Sequence, residues 1–363
     1  MSSSHQPSLS DALYLGVSGS SKRFVQLPGS VCFGDVVSGG FIACLLAKHA
    51  LLYASYRTAI QDQADIRSSL VSFYRPVFPH AGLVVLQLDE VSIGKAWSTL
   101  RVQLFQDSRA QPAASADFCI SRLSISGITL NTGWSLLPPP PEADLEKFPT
   151  DSDPRWASYH SQFKDQGARR AFAYIKFFIP TNLPTDITYV EQWVTPGWDC
   201  YPSGSRNPLL PEARWTNDLV HFVLDCSLPI MENFHTSADG QRPLGSVEAT
   251  LKWASLQKEA RDVGKPDWRA LELDGSLEDG YGDKVFKGSF FYGTLSTSTE
   301  IKKRLPNEGV RWLYLRTEAK SIINGRMDSQ VLLFDEKMEL VAISHHAVQI
   351  LSGAQKTRKV SSL

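Results

Sequence analysis

The chain has 363 residues and a formal net charge of −1; 42% of them are apolar and 21% charged. That composition suits a folded protein with a sizeable core, in one large domain or two ordinary ones. So even a charge balance provides no long-range field to gather nucleic acid or an anionic membrane surface.

The opening "MSSSHQPSLSD" lacks the basic-then-apolar order of a secretory signal. The longest apolar run, around Phe41–Leu52, is broken by Lys48 and His49 and is too short to span a bilayer. "GVSGSS" at 16–21 is not G-x-S-x-G, so it is no nucleophile elbow. The next segment, "SGGFIACLLAKHALLYASY", starts with glycines and predicts a helix apolar on nearly every side, hence a buried one. Four strand-like runs follow: "SSLVSFYRPV", "GLVVLQLDEV", "AWSTLRVQLFQ" and "AASADFCISRL". In the third, Ser98, Leu100, Val102 and Leu104 alternate with Thr99, Arg101, Gln103 and Phe105, the period of a strand with one buried face.

"GWSLLPPPPEADLEKFPTDSDPRW" contains four consecutive prolines and reads as a stiff, extended connection along the surface. Beyond it the pattern repeats. "TNDLVHFVLDCSLP" predicts a second helix with Asn217 or Asp218 at its N-cap. Pro229 cannot donate to the carbonyl of Asp225, so that helix should end or kink nearby. The strands "TLSTSTEIKKRLP", "VRWLYLRTEAKSI", "DSQVLLFDE" and "ELVAISHHAVQIL" come next, after a long excursion at 236–289 whose Glu248–Arg261 portion looks helical. "SIGKAWSTLRVQLFQD" lines up with "IINGRMDSQVLLFDE", so the two halves look duplicated. A buried helix followed by antiparallel strands suggests a sheet curled around a helix, the hotdog arrangement. Two of them give an α+β double hotdog: 1–132, a Pro-rich linker at 133–170, a second unit at 171–352 with the 236–289 insertion, and a tail at 353–363.

The order "VVSGGFIACLLAKHA", "SFYRPV", "GKAWSTLRVQLFQD", "LVHFVLDCSLP" and "RWLYLRTEAKSIINGRMDSQVLLFDEKMELVAISHH" resembles the thioesterase-like superfamily, which includes bacterial acyl-CoA thioesterase II and many fungal proteins. The resemblance covers most of the chain outside the linker, the excursion and the termini. It implies hydrolysis of acyl thioesters by a water held among an Asp on the second helix, a Thr or Ser at the start of the next strand, and a Gln on a late strand. Those positions fall on Asp225, Thr294 and His346, the last a departure from Gln. A one-residue shift would nominate His345, and only one of two strand neighbours can face the helix. The acyl chain would then lie along the helices between the two units.

Asp225 also draws notice without the resemblance. It is a carboxylate among Leu, Val, Phe and Cys, on a narrow polar arc with Asp218 and His221. Such an arc either meets solvent or opens onto a pocket, where the carboxylate serves as a base toward water. Gly39 and Gly40, opening the first helix, can offer backbone N–H groups to a substrate carbonyl; they can equally serve close packing. The basic run Lys302, Lys303 and Arg304, and Arg75 at the matching point of the first half, reads as solvated strand ends or as a contact for coenzyme A phosphates.

Five cysteines (Cys32, Cys44, Cys119, Cys200 and Cys226) lack C-x-x-C spacing and read as reduced thiols of an intracellular protein. With no clustered Cys/His, H-E-x-x-H, Walker or dinucleotide motif, no metal and no cofactor is expected. The expected partner is a small acyl thioester, with no nucleic acid, no membrane, and a homo-oligomer through sheet edges as an option. The expected location is cytoplasmic, or peroxisomal if the terminal "SSL" acts as an S-K-L-like address. Two rival readings keep the fold: a dehydratase, lyase or cyclase acting on a polyketide or terpenoid intermediate, and a non-catalytic acyl-binding protein.

Overall fold

The computed structural model describes residues 8–106, 110–125, 127–161, 169–182, 188–196, 213–235, 245–265, 268, 271 and 290–352. The first half contains α1 (Leu9–Ala12), β1 (Lys22–Val25), β2 (Cys32–Phe33), β3 (Val36–Val37), α2 (Gly39–Ser55), β4 (Asp65–Phe73), β5 (Val84–Ser92), β6 (Trp97–Gln106) and β7 (Ala114–Ser121). The second contains β8 (Trp156–His160), β9 (Ile175–Pro180), β10 (Tyr189–Pro196), α3 (Val220–Asp225), α4 (Val247–Asp262), β11 (Phe290–Ile301), β12 (Leu313–Glu318), β13 (Ile322–Ile323), β14 (Arg326–Phe334) and β15 (Leu340–Ser352).

Among the described residues, thirteen strands form one sheet in the order β1-β5-β6-β7-β4-β11-β15-β14-β12-β10-β9-β8, with β13 added to β14. In each half the strands after the helix take the same order. With β13 set aside, the first lies at the centre of the sheet, the fourth beside it, then the third and the second. The halves meet where β4 pairs antiparallel with β11, from Ser72↔Ser296 to Ser68↔Glu300. This is the double hotdog the patterning predicts, and the shared strand order fits a duplication.

Local chemistry explains α2. Ser38 caps it, its Oγ accepting from Phe41 N at 3.3 Å. Phe41 through Ala47 are all buried, as is His49, while Lys48 reaches Asp218 at 2.5 Å. Along β6, Ser98, Leu100, Val102 and Leu104 are buried and face this helix, as the period of two requires.

The second central helix is shorter than its sequence pattern. A 3-10 turn, Asn217–Leu219, leads into α3, which ends at Asp225, well before Pro229. Gln192 of β10 stops it. Its Nε2 donates to Cys226 O at 2.9 Å and its Oε1 accepts from Leu228 N at 3.0 Å, drawing the chain out of the helical path. Neither expected cap acts as one. Asn217 exchanges hydrogen bonds with the backbone of Leu305, and Asp218 pairs with Lys48.

The stretch read as a linker contributes its own strand, β8, at the far edge of the sheet. The rest of it crosses the outer face of the second half. It brings Leu136 and Phe148 onto Trp156, Phe178, Trp193, Trp312, Tyr314, Leu332 and Phe334, a cluster separate from the main core. Arg316, fully buried, donates to Pro138 O at 2.7 Å and to Glu191 Oε2 at 2.7 Å. Within the excursion, α4 matches the helix expected there. Gln257 on it donates to and accepts from the backbone of His160, closing the edge of β8. The remainder of 236–289, Cys200 and the tail with its SSL ending lie outside the described residues, apart from 245–265, 268 and 271. Cys32, Cys44, Cys119 and Cys226 are free thiols. Among the described residues no helix is long and apolar enough to cross a membrane.

Candidate active site

Asp225 ends α3 against the start of α2. Its Oδ2 accepts from Gly40 N at 2.7 Å and from Ser38 Oγ at 3.2 Å. Both donors belong to the first half and the carboxylate to the second. The positive end of the 17-residue α2 stands behind them. Oδ1 makes no hydrogen bond to a described residue. Asp225 is half-buried and does not hang into bulk solvent from an exposed helix flank.

The sheet supplies the opposite wall. On β15, Ser344, His346 and Val348 face inward and His345 faces out, so the pleat selects His346 of the two neighbours. His346 Nε2 lies 3.0 Å from Ser344 Oγ, which lies 2.8 Å from Thr299 Oγ1 on β11. His346, Ser344, Thr297, Thr299, Asp225, His221, Gly39, Gly40, Ala43, Leu224 and Phe73 surround one small cavity of about 10 Å³, room for about one water molecule.

His221, one turn before Asp225 on α3, brings a second imidazole to the cavity from the helix side. Its Nε2 lies 2.9 Å from Ser69 Oγ on β4, and its ring meets Phe118 edge-on at 6.2 Å. Burial, with a smaller contribution from His346, pulls its pKa down to about 4. Burial also lowers His346, against the opposing pull of the Asp225 charge. Both rings are therefore neutral at pH 7.

The structure brings Asp225, His346 and Gly39 together and changes two other expectations. Thr294 pairs with Val348, two pairs along from His346, beyond a bulge between Thr294 and Ser296. The bulge resets the register, so Thr297 stands opposite His346 and carries the hydroxyl expected of Thr294. Gly40 does not offer a free donor, because its N–H is held by Asp225. Its lack of a side chain serves close approach: a Cβ there would stand 2.5 Å from Asp225 Cβ and 2.8 Å from His221 O. Gly39 N–H makes no hydrogen bond to a described residue.

The basic run is already paired. Lys302 meets Glu300, Lys303 meets Asp335 and Glu339, and Arg304 meets Asp65 at 3.2 Å and Asn307 at 2.8 Å. Arg75 is bonded to the carbonyls of Gln106 and Gln111. Sequence reasoning put His221 on the polar arc with Asp225 but gave it no role, and it missed Ser38, Ser69 and Ser344. Ser38 had a signal, since serine before Gly-Gly and an apolar run is an N-cap pattern.

The duplication gives the site a counterpart. With "LFQD" aligned on "LFDE", Leu100 matches Ser329; Leu100 pairs with Phe118 and Ser329 pairs with His346. The first half thus carries a buried phenylalanine where the second carries the imidazole.

The chain matches the family model "Acyl-CoA thioesterase C-terminal domain" over residues 146–350 and "Acyl-CoA thioesterase N-terminal domain" over residues 27–120. The thioesterase-like protein TwmA of Talaromyces wortmannii is 26% identical over 356 residues, which cover 93% of this chain and 90% of that one. Among solved structures, a hotdog-fold protein of Alicyclobacillus acidocaldarius superposes with a TM-score of 0.58 at 13% identity, covering 95% of this chain and 98% of that one. The acyl-CoA thioesterase II TesB2 of Mycobacterium marinum gives 0.54 at 15% identity, covering 96% and 99%. With both halves matched in order, and a single sheet joining two hotdog units, the chain belongs to the acyl-CoA thioesterase family.

Proposed function

We propose that this protein hydrolyses acyl thioesters with a water held between Asp225, His346 and Thr297. The observation that carries this reading is the clasp on Asp225. Ser38 and Gly40 fix Oδ2, leaving Oδ1 for the cavity that His346 and Thr297 also line. Oδ1 accepts a proton from the water as its oxygen attacks the carbonyl carbon. The carbonyl electrons move to oxygen, where Gly39 N–H and the end of α2 receive the charge. When the C–S bond breaks, the thiolate takes the proton from Asp225. The products are a carboxylic acid and a thiol, with no group left on the enzyme.

The test is thiol release from short, medium and long acyl-CoA, followed with a thiol reagent. Asp225→Asn should keep the fold and lower kcat by about 10²–10⁴-fold, the usual contribution of a positioned base. Undiminished release in that variant, or none from the folded native protein at any chain length, rejects hydrolysis by this crevice. A second reading has one observation in its favour. Two neutral imidazoles flank the carboxylate, an arrangement that also suits moving a proton on a substrate carbon, as a lyase or cyclase does. Substrate conversion without thiol release would favour it.

A further inference from the structure

We propose that Phe73 is the gate and the size filter of this crevice: its ring closes the mouth, swings aside to admit a thioester, and selects against acyl groups branched at the carbon next to the carbonyl. The inference rests on the hydrolytic reading of the same crevice and adds to it the choice of substrate.

The crevice holds about 10 Å³, enough for one water and far too little for a thioester. Of the residues that line it, Gly39, Phe73 and Asp225 are half-buried and all the others are buried. The way in therefore passes between these three. Gly39 has no side chain to move. Asp225 is fixed through Oδ2 by Gly40 N and Ser38 Oγ. That leaves Phe73, among the described residues, as the side chain whose rotation clears the mouth. The imidazoles behind it are tied as well, His221 to Ser69 and His346 to Ser344.

The ring is placed for this role. On β4, Ser69, Val71 and Phe73 point to the inside of the sheet. Phe73 Cζ lies 3.3 Å, and Asp225 Oδ2 3.7 Å, from the point where a Cβ on Gly39 would stand. Ring and carboxylate thus share one face of Gly39. Phe73 is also the last residue of β4. It pairs with Ala114 on β7, while the pairing with β11 ends one residue earlier, at Ser72 and Ser296. The sheet therefore holds Phe73 from one side only.

With the thioester carbonyl seated at Asp225, the next acyl carbon lies against the displaced ring. A straight chain presents a methylene there. A branch adds a methyl that competes with the ring for the same space. One carbon more or less against an apolar wall changes kcat/KM by about 10–200-fold.

The experiment compares thiol release from two acyl-CoA substrates of equal chain length, one straight and one carrying a methyl on the carbon next to the carbonyl. The native protein should prefer the straight one by about tenfold or more, and Phe73→Ala should shrink that preference about tenfold by raising kcat/KM for the branched one. Phe73→Leu, which keeps an apolar side chain, should fall between them and carries the comparison should Phe73→Ala unfold. A native protein indifferent to the branch overturns the proposal, and so does an equal change for both substrates, the mark of a merely structural role. The second measurement is a crystal structure of the native protein with ketone analogues of short, medium and long acyl-CoA, each with a methylene between carbonyl and sulfur. Phe73 should stand in a different rotamer, with the ketone beside Asp225. An analogue seated there with the ring unmoved, or no binding at any length in calorimetry, overturns the gate. If the native protein releases no thiol, the hydrolytic reading fails, while the ring position in the analogue complex still decides the role of Phe73.

Discussion

At Gly40 the two halves of the molecule touch through backbone, and a methyl group has nowhere to go. Gly40→Ala would push α3 off α2, break the N–H contact to Asp225 and cost about 1–3 kcal/mol, the usual range for an overpacked site. Urea denaturation should show that loss, and thiol release should fall further than the loss of folded protein explains. His221 gives a pH dependence. Its folded pKa of about 4 lies below its ordinary 6.5, because burial resists the charge. Above pH 6.5 neither state binds the proton, and stability is full. As pH falls from 6.5 toward 4, the unfolded chain takes up a proton that the folded chain refuses, so stability drops by up to about 3 kcal/mol. His49, buried and likewise lowered to about 4, adds to the same slope. Urea midpoints across this window should flatten in His221→Gln by that residue's share. Asp225 and His346 are legible in the sequence because an acid in an apolar run and a histidine on an alternating strand violate their surroundings. Thr297 is not, since one extra residue at the bulge between Thr294 and Ser296 shifts the register by a place and puts Thr297, where Ser296 would otherwise stand, opposite His346.

The elements separate by how many of their faces meet the core. α2, β4 to β7 and β11 to β15 are readable, β13 apart: most of the strands alternate with one buried face, while α2 and β12, buried on nearly every side, show as compact apolar runs. β9 and β10 carry no alternation, since nearly every residue in "IKFFIP" and "YVEQWVTP" is buried. One side faces the main core and the other the aromatic cluster under the Pro-rich segment. The length of α3 was hidden for another reason: what ends it is Gln192, a residue on a distant strand. The Pro-rich segment is tied down by Arg316, which spans Pro138 O and the Glu191 carboxylate with no exposure of its own. Arg316→Met would leave that carboxylate buried without its cation, at a cost of about 3–5 kcal/mol. Adding Glu191→Gln should recover part of the lost stability in the same denaturation experiment. No recovery would place the role of Arg316 in packing and in Pro138 alone.

Across the whole molecule, one sheet runs through both halves, and the site draws on each. Ser38, Gly39, Gly40 and Ser69 come from the first, and His221, Asp225, Thr297, Ser344 and His346 from the second. The covalent repeat has the topology of a two-fold pair, and a two-fold pair would present two equivalent centres. Phe118, standing where symmetry would place a second imidazole, removes one of them. A non-hydrolysable thioester analogue titrated into the protein should therefore saturate at one equivalent per chain in calorimetry. The silent copy is then free of any demand on its ionisable groups. Its apolar filling can be optimised for rigidity alone, bracing the neighbour that must accommodate a reacting molecule.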